Sequence, residues 1–199
     1  MPVVYNRQMR RTDSSGMNAI AFLVALNALI FFFRVLRPEL VYILGLTPAL
    51  VPQQPWTLIT AMFVHASFSH ILFNMISLFF LGSFFLRMVG EADFLKVYFI
   101  GGLAGNLLYI LLGPAMVPGV GASGAIFAIG GALAIMAPKL PVLVFPLPVP
   151  VPLWGAMTFF LLIGFFISGI AWQAHLGGFL FGMLAGFYFK KRNRRPLYY

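Results

Sequence analysis

The sequence predicts an all-α, polytopic membrane protein built as a bundle of six transmembrane helices, and three observations predict it. Of 199 residues, 61% are hydrophobic and only 9% charged, with a mean hydropathy of +0.97, far from the composition of a soluble globular domain. Apolar runs near the roughly 17–25 residues that cross a bilayer recur at 17–36, 66–88, 93–113, 122–137, 153–170 and 172–190, the fourth and fifth being short. With the N-terminus inside, this arrangement leaves only Arg34 and Arg37 of the 13 Lys and Arg on the outer side, the asymmetry expressed by the positive-inside rule. The net charge of +9 therefore reads as membrane topology, and no nucleic-acid partner is expected. Cysteine is absent, which excludes disulfides and thiolate chemistry.

Taken in order, residues 1–16 form a polar, basic cytoplasmic segment, 17–190 the six-helix domain, and 191–199 a basic cytoplasmic tail that meets lipid headgroups. The first span is read as an anchor and not as a signal peptide, because no small-residue cleavage site follows it before Arg34 and Arg37. Residues 37–64 carry Pro38, Pro48, Pro52, Pro55 and Trp56, too broken for a spanning helix but apolar enough for an interfacial segment on the outer side. The second span opens with His65, His70 and Asn74; Arg87, Glu91, Asp93 and Lys96 then make a short inner turn. Gly101, Gly102 and Gly105 in the third span allow neighbouring helices to approach. Residues 138–152 hold six prolines, so this inner segment is stiff, cannot be helical throughout, and reads as a connection. The last span begins Trp172-Gln173-Ala174-His175.

The stretch Gly121-Ala122-Ser123-Gly124-Ala125-Ile126-Phe127 opens the fourth span. A serine there is either a helix N-cap or a nucleophile, and the heptapeptide alone leaves both open. All three histidines, His65, His70 and His175, lie at or inside spans, where ionisable residues are costly and usually functional. In the six-span topology, spans two, four and six all run from outside to inside. His70, Asn74, Ser123 and His175 then share one depth near the outer surface, whereas a channel needs polar residues through the full thickness. At about 100° per residue, Ser123, Phe127, Gly130 and Ala134 share a face of span four, and His175, Gly178, Gly182 and Gly186 a face of span six. Two such faces can pack closely and bring the imidazole to the hydroxyl. His70 and Asn74 share a face of span two, while on a continuous helix His65 points about 140° away from His70; we assign His65 a structural hydrogen bond at the loop edge. The only carboxylates are Asp13, Glu39, Glu91 and Asp93, all in terminal or connecting segments. An aspartyl site and a zinc site built on a carboxylate base are thereby excluded, no metal or other cofactor is expected, and a Ser-His-Asp triad lacks its acid. What survives is a Ser123–His175 dyad whose base is oriented by packing, with Phe127 placed to do so.

These residues resemble the rhomboid family of intramembrane serine proteases over essentially the whole chain. Three motifs match in order: His65, His70 and Asn74 as His-x4-His-x3-Asn; Gly121-Ala122-Ser123-Gly124 with Phe127; and Ala174-His175-Leu176-Gly177-Gly178. The resemblance implies a six-helix rhomboid-like bundle of the minimal prokaryotic form, in a plasma membrane with both termini cytoplasmic and the active site towards the outer side. It implies Ser123 as nucleophile, His175 as general base, and an oxyanion site made by the Asn74 amide, His70 and the Ser123 backbone N–H. Gly121, Gly124, Gly178, His65 and Phe127 support that site. Its substrates are single-pass membrane proteins cut in or near their transmembrane segments; the alternative is a catalytically inactive relative that binds membrane clients. Two departures stand out: Thr57 follows Trp56 where many rhomboids have arginine, which leaves the anchoring of that loop open, and Phe127 occupies a position that can carry tyrosine.

Overall fold

Helices in this chain end where glycine or proline ends them. A computed structural model describes residues 14–144 and 149–193; most of the 1–16 segment, and Arg194 and Arg195 of the tail, lie outside the described residues. Helix α1 (Ser14–Leu36) stops one residue short of the Arg37-Pro38 step, because the residue before proline is driven out of the α region. A short α2 (Leu40–Leu44) and α3 (Thr57–Thr60) follow on the outer connection. Next come α4 (Phe68–Ser77), a π turn at Leu78–Gly82 and α5 (Ser83–Val89), which run on as one helical rod. Gly90, at φ +89°, breaks the rod before α6 (Glu91–Leu112), a left-handed conformation that only glycine adopts cheaply. Helix α7 (Ser123–Met136) ends before Ala137-Pro138, and α8 (Leu153–Ile163) and α9 (Trp172–Asn193) complete the bundle.

Three of these helical segments are long and apolar enough to cross a membrane: Ala19–Leu36, Phe68–Val89 and Glu91–Leu112. Helices α7 and α8 are shorter apolar helices. The expected fifth span at 153–170 is corrected here: α8 has 11 residues, and the chain turns from Gly164 onward, with Gly169 at φ +86°. Span two also starts later than expected. Ser67 caps α4 by accepting the His70 backbone N–H at 3.2 Å, so His65 precedes the helix. The tail begins inside a helix, since α9 continues through Lys190, Lys191 and Arg192.

The proline-rich connection between α7 and α8 adds an element that the proline count did not predict. Strands β1 (Pro141–Val142) and β2 (Val151–Pro152) pair antiparallel, Pro141 opposite Pro152 and Val142 opposite Val151. Proline donates nothing to a ladder and is tolerated in so short a pair, where both strands are edges. In the connection between α1 and α4, the loop with Thr57 in place of arginine is anchored by other bonds. Trp56 Nε1 donates to Ile43 O (2.9 Å), Thr60 Oγ1 to Leu44 O (2.7 Å) and Asn106 Nδ2 to Leu58 O (2.8 Å).

Helix α7 is the axis of the bundle. Every residue from Gly124 to Leu133 is buried, and its most extensive partner is α9, followed by α6. The approach of α7 and α9 is set by glycine. A Cβ on Gly178, Gly182 or Gly186 would collide with the backbone of Gly124, Ala128 or Ala132 respectively. The stripe on α7 that meets α9 is therefore Gly124, Ala128 and Ala132; Gly130, expected on that face, instead packs against Met157 of α8. Successive residues turn by about 100°, so Ser123 and Phe127 sit at the border of this stripe, not at its centre.

Replacing Gly182 by valine drives a branched side chain into the α7 backbone and is expected to destabilise the protein by about 1–3 kcal/mol or more, read as a fall in thermal unfolding temperature in detergent. Gly155→Ala, whose Cβ would meet only Pro152 Cγ at 3.7 Å, is expected to stay within about 0.5 kcal/mol of the parent.

Candidate active site

The backbone contact between α7 and α9 brings Ser123, at the N-terminal end of α7, to His175, near the N-terminal end of α9. Gly124 has no side chain and lies against Ala174 O, which a Cβ would meet at 3.3 Å. Ser123 and His175 are the residues adjoining this contact on the two helices. His175 Nε2 lies 2.8 Å from Ser123 Oγ, within the reach of a direct hydrogen bond. Ser123 is the first residue of α7, and Ala122 occupies the N-cap. The cap reading of this serine is thus corrected: its hydroxyl turns to the histidine, and the cap position is filled by a residue with no side-chain acceptor.

Packing orients the imidazole. The Phe127 ring, one turn along α7, stacks on it with centroids 4.3 Å apart and planes at 15°. His175 Nδ1 is buried and has no hydrogen-bond partner among the described residues, so neither a carboxylate nor a backbone carbonyl holds the ring from behind. Two tethers fix the start of α9. Gln173 Nε2 donates to Leu112 O at the end of α6 (3.1 Å), and the Trp172 ring stacks on Phe165 at 4.2 Å.

The strand of chain entering α7 is shaped by Gly121. Its φ of +124° lies in the left-handed region, and a Cβ there would meet His70 Nε2 at 2.7 Å while lying 3.7 Å from Ser123 Oγ. His70 Nε2 and the serine hydroxyl therefore flank the same bare Cα, a gap that any side chain would fill. The Gly121 N–H donates to Ala61 O (2.9 Å), tying this turn to the outer connection. On the far side of the His70 ring, Nδ1 faces the Ala66 N–H at a long 3.5 Å.

The structure brings His65 next to His70, with ring centroids 5.0 Å apart, in place of the divergence expected from helical phase. The reason is that α4 begins only at Phe68, so the angle counted along a continuous helix does not apply. His65 is fully buried, and its Nε2 faces the Ala122 N–H at 3.5 Å. Asn74 is buried one turn below His70. Its Nδ2 donates to His70 O (2.8 Å), leaving the second amide hydrogen free and Oδ1 without a partner among the described residues.

Asn106 and Tyr109 of α6 were not singled out in the sequence. With Gly121, Ser123 and Ala174 they line a cavity of about 10 Å³ beside the serine, close to the smallest space that holds one water. An asparagine within an otherwise apolar span was the available signal. Tyr109 OH donates to Val117 O (3.0 Å), which folds the connection between α6 and α7 over the same cavity.

The rhomboid domain family model matches residues 52–192, a region that contains every site residue above. The chain is 32% identical over 182 residues to the rhomboid relative YdcA of Bacillus subtilis (strain 168), covering 88% of this chain and 91% of the relative. It is 33% identical over 163 residues to Rhomboid protein 1, mitochondrial, of Saccharomyces cerevisiae, covering 70% of this chain but only 44% of that protein. Rhomboid protease GluP of Bacillus subtilis matches at 32% over 130 residues, 65% of this chain and 25% of GluP. On the extent of these matches, this apolar, mostly helical chain belongs to the rhomboid family, whose members are generally intramembrane serine proteases.

Proposed function

We propose that this protein is an intramembrane serine endopeptidase that spans the membrane six times and hydrolyses peptide bonds in or near the transmembrane segments of single-pass membrane proteins. The observation that carries this reading is the 2.8 Å approach of His175 Nε2 to Ser123 Oγ at the outer ends of two helices locked together by a glycine stripe. Family membership agrees with it.

In the proposed reaction, His175 Nε2 takes the Ser123 hydroxyl proton as Oγ adds to the scissile carbonyl carbon. The tetrahedral oxyanion forms beside the start of α7, where the first backbone N–H groups have no helical carbonyl to bond and the helix dipole is positive. The Ser123 N–H, the free amide hydrogen of Asn74 and His70 Nε2 donate to it. Collapse breaks the C–N bond, and the imidazolium returns its proton to the departing amine, leaving an acyl ester on Ser123. Water, deprotonated by His175, then adds to that ester; the second tetrahedral intermediate breaks its C–Oγ bond as the imidazolium returns the proton to Ser123 Oγ, releasing the acid and restoring the serine. Phe127 replaces the missing acid as the element that orients the base: a stacked ring holds the imidazole plane without adding charge at a depth where charge is costly. Gly121, Gly124 and Gly178 contribute by absence, leaving room for His70, for Ala174 and for the α7 backbone. His65 supports the turn before α7 and takes no part in proton transfer.

The substrate class follows from the same physics. A peptide bond inside a membrane helix is shielded by its own hydrogen bonds, so only a segment that unwinds offers its carbonyl to Ser123. The excess of Lys and Arg at the two ends of the chain supports a reading with both termini cytoplasmic and the Ser–His pair towards the outer side; the proposed setting is a prokaryotic plasma membrane.

Ser123→Ala and His175→Ala are each expected to abolish cleavage of a reporter transmembrane segment in liposomes while leaving the unfolding temperature near that of the parent. Persisting cleavage in Ser123→Ala refutes the proposal, and so does a parent protein that binds the segment and never cuts it. Asn74→Ala is expected to lower kcat by about 10²–10³ with a smaller change in KM, as for the loss of one oxyanion donor. Phe127→Ala is expected to lower kcat and Phe127→Tyr to retain most of it, measured with the same reporter.

A further inference from the structure

The connection between α7 and α8 carries a surface that the proposed reaction does not use. From Leu140 to Met157 the sequence contains no polar side chain, and from Leu140 to Phe189 it contains no Lys, Arg, Asp or Glu. A connection standing in water has no reason to be built this way. In the fold, Leu143, Val149 and Trp154 are exposed, Leu143 to 80%, and Val144, Val151, Pro152, Trp154, Gly155 and Phe159 line an open groove of about 340 Å³ whose walls are almost wholly apolar. Exposed apolar surface of this extent marks a site of association.

We infer that the β1–β2 ladder and the first turns of α8 lie within the bilayer's interfacial layer, with the groove holding the acyl chain of a lipid whose anionic headgroup meets the neighbouring cations. Charge complementarity identifies the occupant. Lys139 lies two residues before the ladder and is exposed, and the Pro138 carbonyl accepts the Trp154 N–H at 3.3 Å, which sets Lys139 beside the groove's tryptophan. Lys190 Nζ donates to Ile135 O at the end of α7 (3.1 Å), so Lys190 and the following Lys191 and Arg192 stand at this same end of the bundle. An apolar groove beside basic residues and a tryptophan fits an anionic phospholipid, whose headgroup the nearby cations attract. A soluble partner protein meets no such charge pattern inside the groove.

The backbone is suited to that depth. Irregular chain is excluded from lipid because its N–H groups go unpaired, but this segment has few to pair. Pro138, Pro141, Pro150 and Pro152 have none, the ladder joins Val142 to Val151, and the N–H groups of Leu140, Leu153 and Trp154 donate to Ala137 O, Leu140 O and Pro138 O. The prolines that prevent a helix here also remove the donors that would resist burial.

The test is fluorescence of the double variant Trp56→Phe, Trp172→Phe, which keeps Trp154 as the single tryptophan, reconstituted in phosphatidylcholine vesicles with or without phosphatidylglycerol and carrying chain-brominated lipid. The inference expects bromines near the headgroup end of the chain to remove most of the Trp154 emission. Bromines near the chain terminus and aqueous iodide remove little. Quenching by brominated phosphatidylglycerol is expected to exceed that by brominated phosphatidylcholine at equal content, with the difference shrinking in Lys139→Gln. Strong iodide quenching with none from bromolipid overturns it by placing the groove in water. Protection from both quenchers, with cross-linking between copies at Leu143→Cys, overturns it by placing a second chain there. Equal quenching by the two brominated lipids overturns the headgroup assignment.

Discussion

The structure depends on one constraint, the contact of the α7 and α9 backbones without intervening side chains. Gly178 on Gly124, Gly182 on Ala128 and Gly186 on Ala132 leave van der Waals attraction and small-residue packing to hold the pair, as is usual where lipid removes the hydrophobic drive for helices to associate. Backbones this close admit little axial slippage, since a shift of one residue sets a Cβ against a carbonyl. The 2.8 Å separation of His175 and Ser123 is the end point of that register. The Ser–His pair is thereby positioned by a run of residues that takes no part in the proposed chemistry.

The same economy explains the missing acid. A carboxylate behind His175 would need its own partners at membrane depth; of the four acids, Asp13 precedes α1 in sequence and Glu39 lies between α1 and α2, while Glu91 and Asp93, expected in a turn, instead occupy the first turn of α6. Asp93 shows where an acid is affordable: it pairs with Arg192 at 2.8 Å near the inner ends of α6 and α9, far along the helices from the Ser–His pair. Ring stacking by Phe127 orients the base with apolar surface, which the site has in abundance.

Much of this was legible in the sequence because it depends on composition and helical phase. The membrane class followed from hydropathy, and the faces bearing His175 and the α9 glycines followed from a turn of about 100° per residue. What phase could not supply was where each helix begins. The direction of His65 was counted along a continuous helix, whereas α4 starts only at Phe68, so its contact with His70 was missed. The fifth span was drawn seven residues too long, since 164–170 are as apolar as a helix and only the glycine turns at Gly164 and Gly169 stop it. The stripe on α7 was drawn through Gly130, which faces α8, because one helix has several small-residue faces and sequence does not say which neighbour each meets. The strand pair at Pro141–Val142 and Val151–Pro152 left no alternating pattern to read, being apolar on every side.

The central claim is that Ser123 is a nucleophile made reactive by His175. Mass spectrometry of the full-length protein in detergent after reaction with a fluorophosphonate tests it most directly. The account predicts a single phosphonylated residue, Ser123, with modification lost in His175→Ala although the serine remains. Modification of another serine, none at all in folded protein, or equal modification of Ser123 without His175 would contradict it.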